Sequence, residues 1–147
     1  MEFLSESGRT WDEVLLKACE EVRRRGYVKP TYCEALIKRE REYPTGLELG
    51  DVNVAIPHAD VELVNEEALV AIVPRERVAF RRMDMPDREI PVDMIFLLLI
   101  KNPDGYVKFL SDLTTKFTDE SFLDAIRRKD FQKLSQVLRE LASARRP

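Results

Sequence analysis

The chain has 147 residues, a length that suits one domain with a buried core and leaves little room for two. Its 44% hydrophobic and 35% charged residues describe a globular protein with an ion-rich surface, and exclude collagen-like, low-complexity and wholly disordered chains. Lys and Arg number 24 against 27 Asp and Glu, a net charge of −3 with no long block of one sign, which argues against a broad basic nucleic-acid face; the single histidine, His58, excludes a multi-histidine metal centre.

In chain order, Met1 to Thr10 mixes acidic and polar residues and has no signal-peptide pattern, and neither end carries a lipidation signal. Thr10 and Glu13 form a T-x-x-E capping box, and Trp11, Val14, Leu15, Ala18, Cys19 and Val22 follow at helical spacing as far as Arg23–Arg25 and Gly26. After Pro30, Thr31 and Glu34 suggest a second capping box, with Ala35, Leu36 and Ile37 carrying the helix to about Arg41. Cys19 and Cys33, embedded in these helices, read as buried thiols and not as a disulfide framework. Pro44-Thr45-Gly46 breaks the helix, and Val52, Val54 and Ile56 then alternate as a strand up to Pro57. Glu67–Val73 and Val78–Arg82 read as two strands that pair as a hairpin, followed by a polar stretch from Asp84 to Glu89. Val92–Ile100 is nearly all apolar, as in a central strand covered on both faces; its core, Met94 to Ile100, is about a third of a membrane span. Asn102 and Pro103 begin a helix with Tyr106, Leu110, Leu113 and Phe117 on one face. Thr118 caps a short helix through Arg128, Asp130 caps a last one, and residues 142–147 are expected to fray. Helices around a small mixed sheet predict a single-domain, three-layer α/β/α sandwich over residues 1–147, soluble and cytoplasmic.

The segment Val54-Ala55-Ile56-Pro57-His58-Ala59 is the candidate site. A strand end followed by loop presents a side chain at the rim of a sheet, and Pro57 fixes one torsion beside it. An imidazole there is largely neutral near pH 7 and has a lone pair that can attack phosphorus. The competing reading is a histidine with a merely structural place, which is the commoner fate of a lone histidine.

Arg39-Glu40, then Pro44-Thr45-Gly46, then Ala55-Ile56-Pro57-His58 together resemble the signature of the enzyme IIA domains of the fructose/mannitol class (type 2) in the bacterial sugar phosphotransferase system. The resemblance continues through Glu67–Val73, Val78-Ala79-Phe80, Met83-Asp84 and Val92–Ile100. Within the class, Ala35-Leu36-Ile37, Arg39-Glu40, Pro44-Thr45-Gly46-Leu47 and Lys101-Asn102-Pro103 look most like the galactitol-type members.

This resemblance implies a phosphocarrier: His58 would accept a phosphoryl group from the carrier protein HPr and pass it to a cognate enzyme IIB, and so indirectly to the membrane enzyme IIC. The alternative is a solitary regulatory protein of the same fold, in which phosphorylation of His58 controls partner binding. Arg39 would hold the phosphoryl oxygens, a task that suits a planar guanidinium, unless it is only one member of a solvated charge run. Thr45 would add a hydroxyl or backbone donor, or is simply a turn residue. Tyr106 stands where many members of the class carry a second histidine. It can donate one hydrogen bond but cannot become a cation near neutral pH, so a two-histidine mechanism is excluded; its other reading is a core aromatic. The partner-facing surface is expected around Ala59 and the Pro44–Leu47 turn, with Asp60 and Glu62 as minor acidic candidates. No cofactor, metal, nucleic acid or direct membrane insertion is implied.

Overall fold

Residues 2–144 are described in a computed structural model, with side chains over 3–141. In chain order they form β1 (Glu2–Glu6), α1 (Trp11–Arg24), α2 (Tyr32–Glu42), β2 (Gly46–Glu48), β3 (Asn53–Ala55), a 3-10 turn (Val61–Leu63), β4 (Ala68–Pro74), β5 (Val78–Arg81), β6 (Glu89–Val92), β7 (Met94–Leu99), α3 (Pro103–Lys116), α4 (Glu120–Arg128) and α5 (Phe131–Ala144).

Every residue of β7 is buried, and the strand is the middle one of a five-stranded sheet ordered β1-β4-β7-β3-β2. It pairs antiparallel with β4 and parallel with β3. A strand with neighbours on both edges and helices on both faces has no solvent side, which is why its sequence shows no alternation. One face of the sheet sends Val70, Ile72, Ile95 and Leu97 into a cluster with Leu15, Val22 and Leu36 of α1 and α2. The other sends Ala71, Val73, Phe96 and Leu98 against Phe109, Phe122, Leu134 and Leu138 of α3, α4 and α5. The result is the expected three-layer α/β/α sandwich with a mixed sheet.

Helix ends follow the expected chemistry with two exceptions. Thr10 Oγ accepts from the Glu13 amide at 3.4 Å, and the Glu13 carboxylate reaches past the cap to the Arg9 amide at 2.9 Å. Asn102 accepts from the Asp104 and Gly105 amides, and Asp130 from that of Lys133. Thr31 makes no side-chain cap: its backbone is already helical, so its hydroxyl does not face the open amides. Asp119, not Thr118, caps α4, accepting from the Ser121 amide at 2.9 Å.

Four expectations about pairing and ends need correction. β4 and β5 do not form a hairpin; β5 pairs with β6 in a separate two-stranded sheet, whereas β4 lies between β1 and β7. The apolar run predicted as one strand is divided at Asp93, whose amide and carboxylate bond to the Asn53 backbone. α5 continues through Ala144, and residues 145–147, where fraying was also expected, lie outside the described residues.

The fourth correction concerns the cysteines: both are buried, but they form a Cys19–Cys33 disulfide joining α1 to α2. Helical periodicity puts each sulfur in the α1–α2 seam, and a Cα separation of 5.7 Å suits a bridge. With a sequence separation of 14 between the cysteines, reduction is expected to lower stability by about 3 kcal/mol. Thermal unfolding with and without dithiothreitol measures this; an unchanged Tm would mean that packing alone holds the seam.

Candidate functional site

β3 and β7 run parallel and adjacent, so the segments leaving both strands emerge at the same end of the sheet. His58 follows β3 and α3 follows β7, which brings Tyr106, in the first turns of α3, against the histidine. The two rings lie 4.9 Å apart between centroids and tilt by 47°. The carboxy-terminal turn of α2 supplies Arg39 and Glu40 from the other face.

His58 is half-buried. Its Nδ1 lies 3.1 Å from the carbonyl oxygen of Ile56. A carbonyl can only accept, so Nδ1 carries the proton and Nε2 keeps its lone pair. Burial pushes the imidazole below its ordinary pKa and the Arg39 charge adds to this, against the opposing bond to Ile56. The ring is therefore neutral at pH 7.

Arg39 is exposed, with its guanidinium carbon 5.4 Å from the centroid of the Tyr43 ring. Among the described residues none of the ion pairs includes it, whereas its neighbour Arg41 reaches Asp12 at 3.8 Å. The Arg39 charge acts instead on His58 and on Tyr106.

Thr45 is buried, and both of its donors are spent. Its amide reaches Glu40 Oε1 at 2.9 Å, and its hydroxyl lies 2.7 and 2.9 Å from the two Glu40 oxygens. The same hydroxyl oxygen accepts from the Ile56 amide at 3.1 Å. Thr45 is therefore a brace for the end of the strand, in place of the free donor beside a phosphate that its position in the sequence suggested. Glu40 is the residue that sequence reasoning missed: only 4% exposed, it anchors a chain of bonds running Glu40–Thr45–Ile56–His58. Burial raises its carboxyl to about 7, against the lowering effect of the two bonds from Thr45. Tyr32–Leu36–Glu40 follow one another on the buried side of α2, a spacing that would have identified it.

Gly46 closes the brace on its other side. A side chain there would meet the Arg81 carbonyl at 2.5 Å, so only glycine lets the β5–β6 sheet approach β2, where the Met83 amide bonds to the Gly46 carbonyl at 2.8 Å. Of the Pro44–Leu47 turn, expected to face partners, Pro44, Thr45 and Gly46 are buried and Leu47 is half-buried. Exposed apolar area lies instead at Tyr43, beside Arg39, and at Val107, next to Tyr106. Among the described residues no group of three His, Cys, Asp or Glu is placed to hold a metal ion, and no helix is long and apolar enough to cross a membrane.

The family model described as "Phosphoenolpyruvate-dependent sugar phosphotransferase system, EIIA 2" matches residues 2–141. The galactitol-specific EIIA component of Escherichia coli K12 is 31% identical over 114 residues, which cover 78% of this chain and 75% of that protein. Among solved structures, the complex of mannitol enzyme IIA with phosphorylated mannitol enzyme IIB from Escherichia coli matches with a TM-score of 0.65 at 26% identity, over 84% of this chain and 83% of the matched chain. The nitrogen regulatory protein IIA-Ntr of Neisseria meningitidis matches with a TM-score of 0.60 at 28% identity, over 84% and 82%.

Proposed function

We propose a phosphoryl relay on His58, from the premise that the chain belongs to the EIIA 2 family of the phosphoenolpyruvate-dependent sugar phosphotransferase system. In this reading residues 1–147 are one enzyme IIA domain acting in the cytoplasm. His58 accepts a phosphoryl group from HPr and passes it to a cognate enzyme IIB, which serves a membrane enzyme IIC for a galactitol-like sugar. The likeness to a galactitol-specific EIIA component supports the sugar class, and the relative solved with phosphorylated enzyme IIB supports the acceptor.

The observation that carries the reading is the tautomer. With Nδ1–H held by the Ile56 carbonyl, the lone pair of Nε2 is the nucleophile. It attacks phosphorus in line; the N–P bond of the donor breaks as the new one forms, and the electron pair returns to the donor's ring nitrogen. No base has to remove a proton, because Nδ1 keeps its own throughout. Return transfer to enzyme IIB is the same displacement with the roles exchanged. Charge grows on the phosphoryl oxygens in either direction, and Arg39, free of carboxylates, is the cation that meets it. Exposed Tyr43, beside Arg39, and exposed Val107, next to Tyr106, offer partners apolar contact near the half-buried histidine, which suits brief docking.

Incubation with phosphoenolpyruvate, enzyme I and HPr is expected to place an acid-labile phosphoryl group on the chain, and no uptake overturns the reading. The likeness to IIA-Ntr supports the regulatory alternative. Affinity capture separates the two: an enzyme IIB in the eluate supports transport, and a kinase or regulator in its place supports regulation.

Protonation of Nε2 removes the nucleophile, so uptake falls as pH drops through the His58 pKa, which lies below the ordinary 6.5. The acid limb of the rate profile is therefore expected below pH 6.5. Arg39→Ala is expected to slow uptake about a hundredfold and to move that limb upward, since a neighbouring cation is lost. Rapid-quench rates across pH measure both effects, and an unchanged rate would remove Arg39 from the site.

A further inference from the structure

Among the described residues, two buried side-chain polar atoms have no hydrogen-bond partner: the hydroxyl oxygens of Tyr32 and Tyr106. Native proteins rarely leave such groups unmatched, and each instance asks for a ligand or a function. Both lie next to the His58–Ala59 segment. The Tyr106 ring packs on the His58 ring. Tyr32, fully buried at the start of α2, brings its hydroxyl beside the backbone of Ala59, the residue after His58. The Ala59 amide faces that oxygen and can only donate to it, so the hydroxyl's own proton has no acceptor. The two phenols are also within electrostatic reach of each other, and Tyr106 is within reach of Arg39.

Burial pushes both phenols well above the ordinary tyrosine range, so each keeps its proton and remains a donor at any physiological pH. One donor, Tyr106, therefore packs on the His58 ring, a second, Tyr32, lies beside the backbone of the next residue, and the Arg39 charge reaches the imidazole. A phosphoryl group on Nε2 brings three oxygens with no protons of their own, which only donors satisfy.

We propose that the hydroxyls of Tyr32 and Tyr106 are kept as hydrogen-bond donors for the phosphoryl oxygens carried by His58, completing with Arg39 a cradle of three donors. The inference rests on the reading of His58 as the phosphoryl acceptor. Neither phenol transfers its proton: both bonds form as charge accumulates on the oxygens and remain in the phosphorylated protein. The unphosphorylated protein leaves these hydroxyls unmatched, and phosphorylation relieves both.

Tyr32→Phe, Tyr106→Phe and the double variant test this, because Phe keeps the ring and removes only the oxygen. Phosphoryl uptake is followed from two donors, phospho-HPr and the small molecule phosphoramidate, with His58→Gln as the blank. Each single variant is expected to take up phosphoryl about tenfold more slowly from either donor, and the double variant about a hundredfold. Unphosphorylated variants are expected to melt at or above the wild-type temperature, since an unmatched hydroxyl is gone, while the rise in Tm on phosphorylation shrinks. A packing role would lower both melting temperatures alike and leave that rise intact. Variants that match the wild type in rate and in the phosphorylation-dependent Tm rise overturn the cradle. If wild-type His58 labels with phosphoramidate and not with phospho-HPr, the relay reading fails and the phosphoramidate comparison still judges the cradle. Absence of labelling from both donors overturns both.

Discussion

His58→Gln is expected to abolish phosphoryl uptake from phospho-HPr, a loss of at least about a thousandfold, with the fold left in place. The chain has one histidine, so no second imidazole takes over and no residual phosphohistidine is available to blur the result. The loss is chemical and not structural. His58 is half-buried at a loop, outside both hydrophobic clusters, and among the described residues its one hydrogen bond is donated to the Ile56 carbonyl. A glutamine amide offers an N–H to the same acceptor but has no basic lone pair to attack phosphorus. The unphosphorylated variant is therefore expected within about 1 kcal/mol of the wild type in stability. Labelling with radioactive phosphoenolpyruvate, enzyme I and HPr, beside thermal melts of the same preparations, measures both halves. Acid-labile label remaining on His58→Gln would place the acceptor elsewhere and end the proposal.

Long, strongly patterned elements were legible in the sequence because their burial is one-sided or complete. Val14, Leu15, Ala18, Cys19 and Val22 line the inner face of α1, and every residue of β7 is covered. β1 was not, because an edge strand of five residues with only Phe3 and Leu4 packed against the clusters leaves no period to read. The hairpin expected of β4 and β5 failed for a related reason. Neighbours in sequence usually pair. Here β4 is apolar on both faces and belongs inside the large sheet beside β7, while β5, with its alternating pattern, turns to β6 and joins the cluster of α1 and α2.

At the site, the sequence marks what faces outward and hides what supports it. Ile56-Pro57-His58 announces a strand end. Glu40 sits within Lys38-Arg39-Glu40-Arg41-Glu42, which reads as solvated charge until the helical phase of Tyr32 and Leu36 turns it inward. The Cys19–Cys33 pairing is hidden in the same way: periodicity buries each sulfur, but only the α1–α2 crossing brings them together.

The Glu40–Thr45 brace yields the second large effect, on stability and its pH dependence. Glu40→Ala leaves the Thr45 amide and hydroxyl unmatched in a buried site and opens a small cavity, a loss of about 2–4 kcal/mol. Glu40→Gln acts differently. The Glu40 carboxyl titrates at 4.5 in its ordinary state and at about 7 in the folded chain. Between these values the folded protein binds more protons than the unfolded one, so stability falls as pH rises through the window and then levels off. The size of the shift limits that fall to about 3 kcal/mol. His58, whose folded pKa is lowered, works in the opposite sense, adding stability as pH rises toward 6.5. The difference between Glu40→Gln and the wild type cancels that contribution and isolates Glu40. Glutamine presents an acceptor oxygen and a donor NH2 group where the protonated acid presents a carbonyl and an O–H, and it never ionises. The variant is expected to equal the wild type near pH 4.5 and to exceed it above pH 7, with the gap growing across the interval. Urea unfolding at a series of pH values measures the gap, and one that stays constant from pH 4.5 to 7 would show that Glu40 titrates as an ordinary carboxylate. Because Thr45 Oγ also receives the Ile56 amide, and the Ile56 carbonyl receives Nδ1–H of His58, the brace and the nucleophile share one chain of bonds. Thr45→Val cuts that chain while keeping the shape, and is expected to slow phosphoryl uptake more than it weakens the fold.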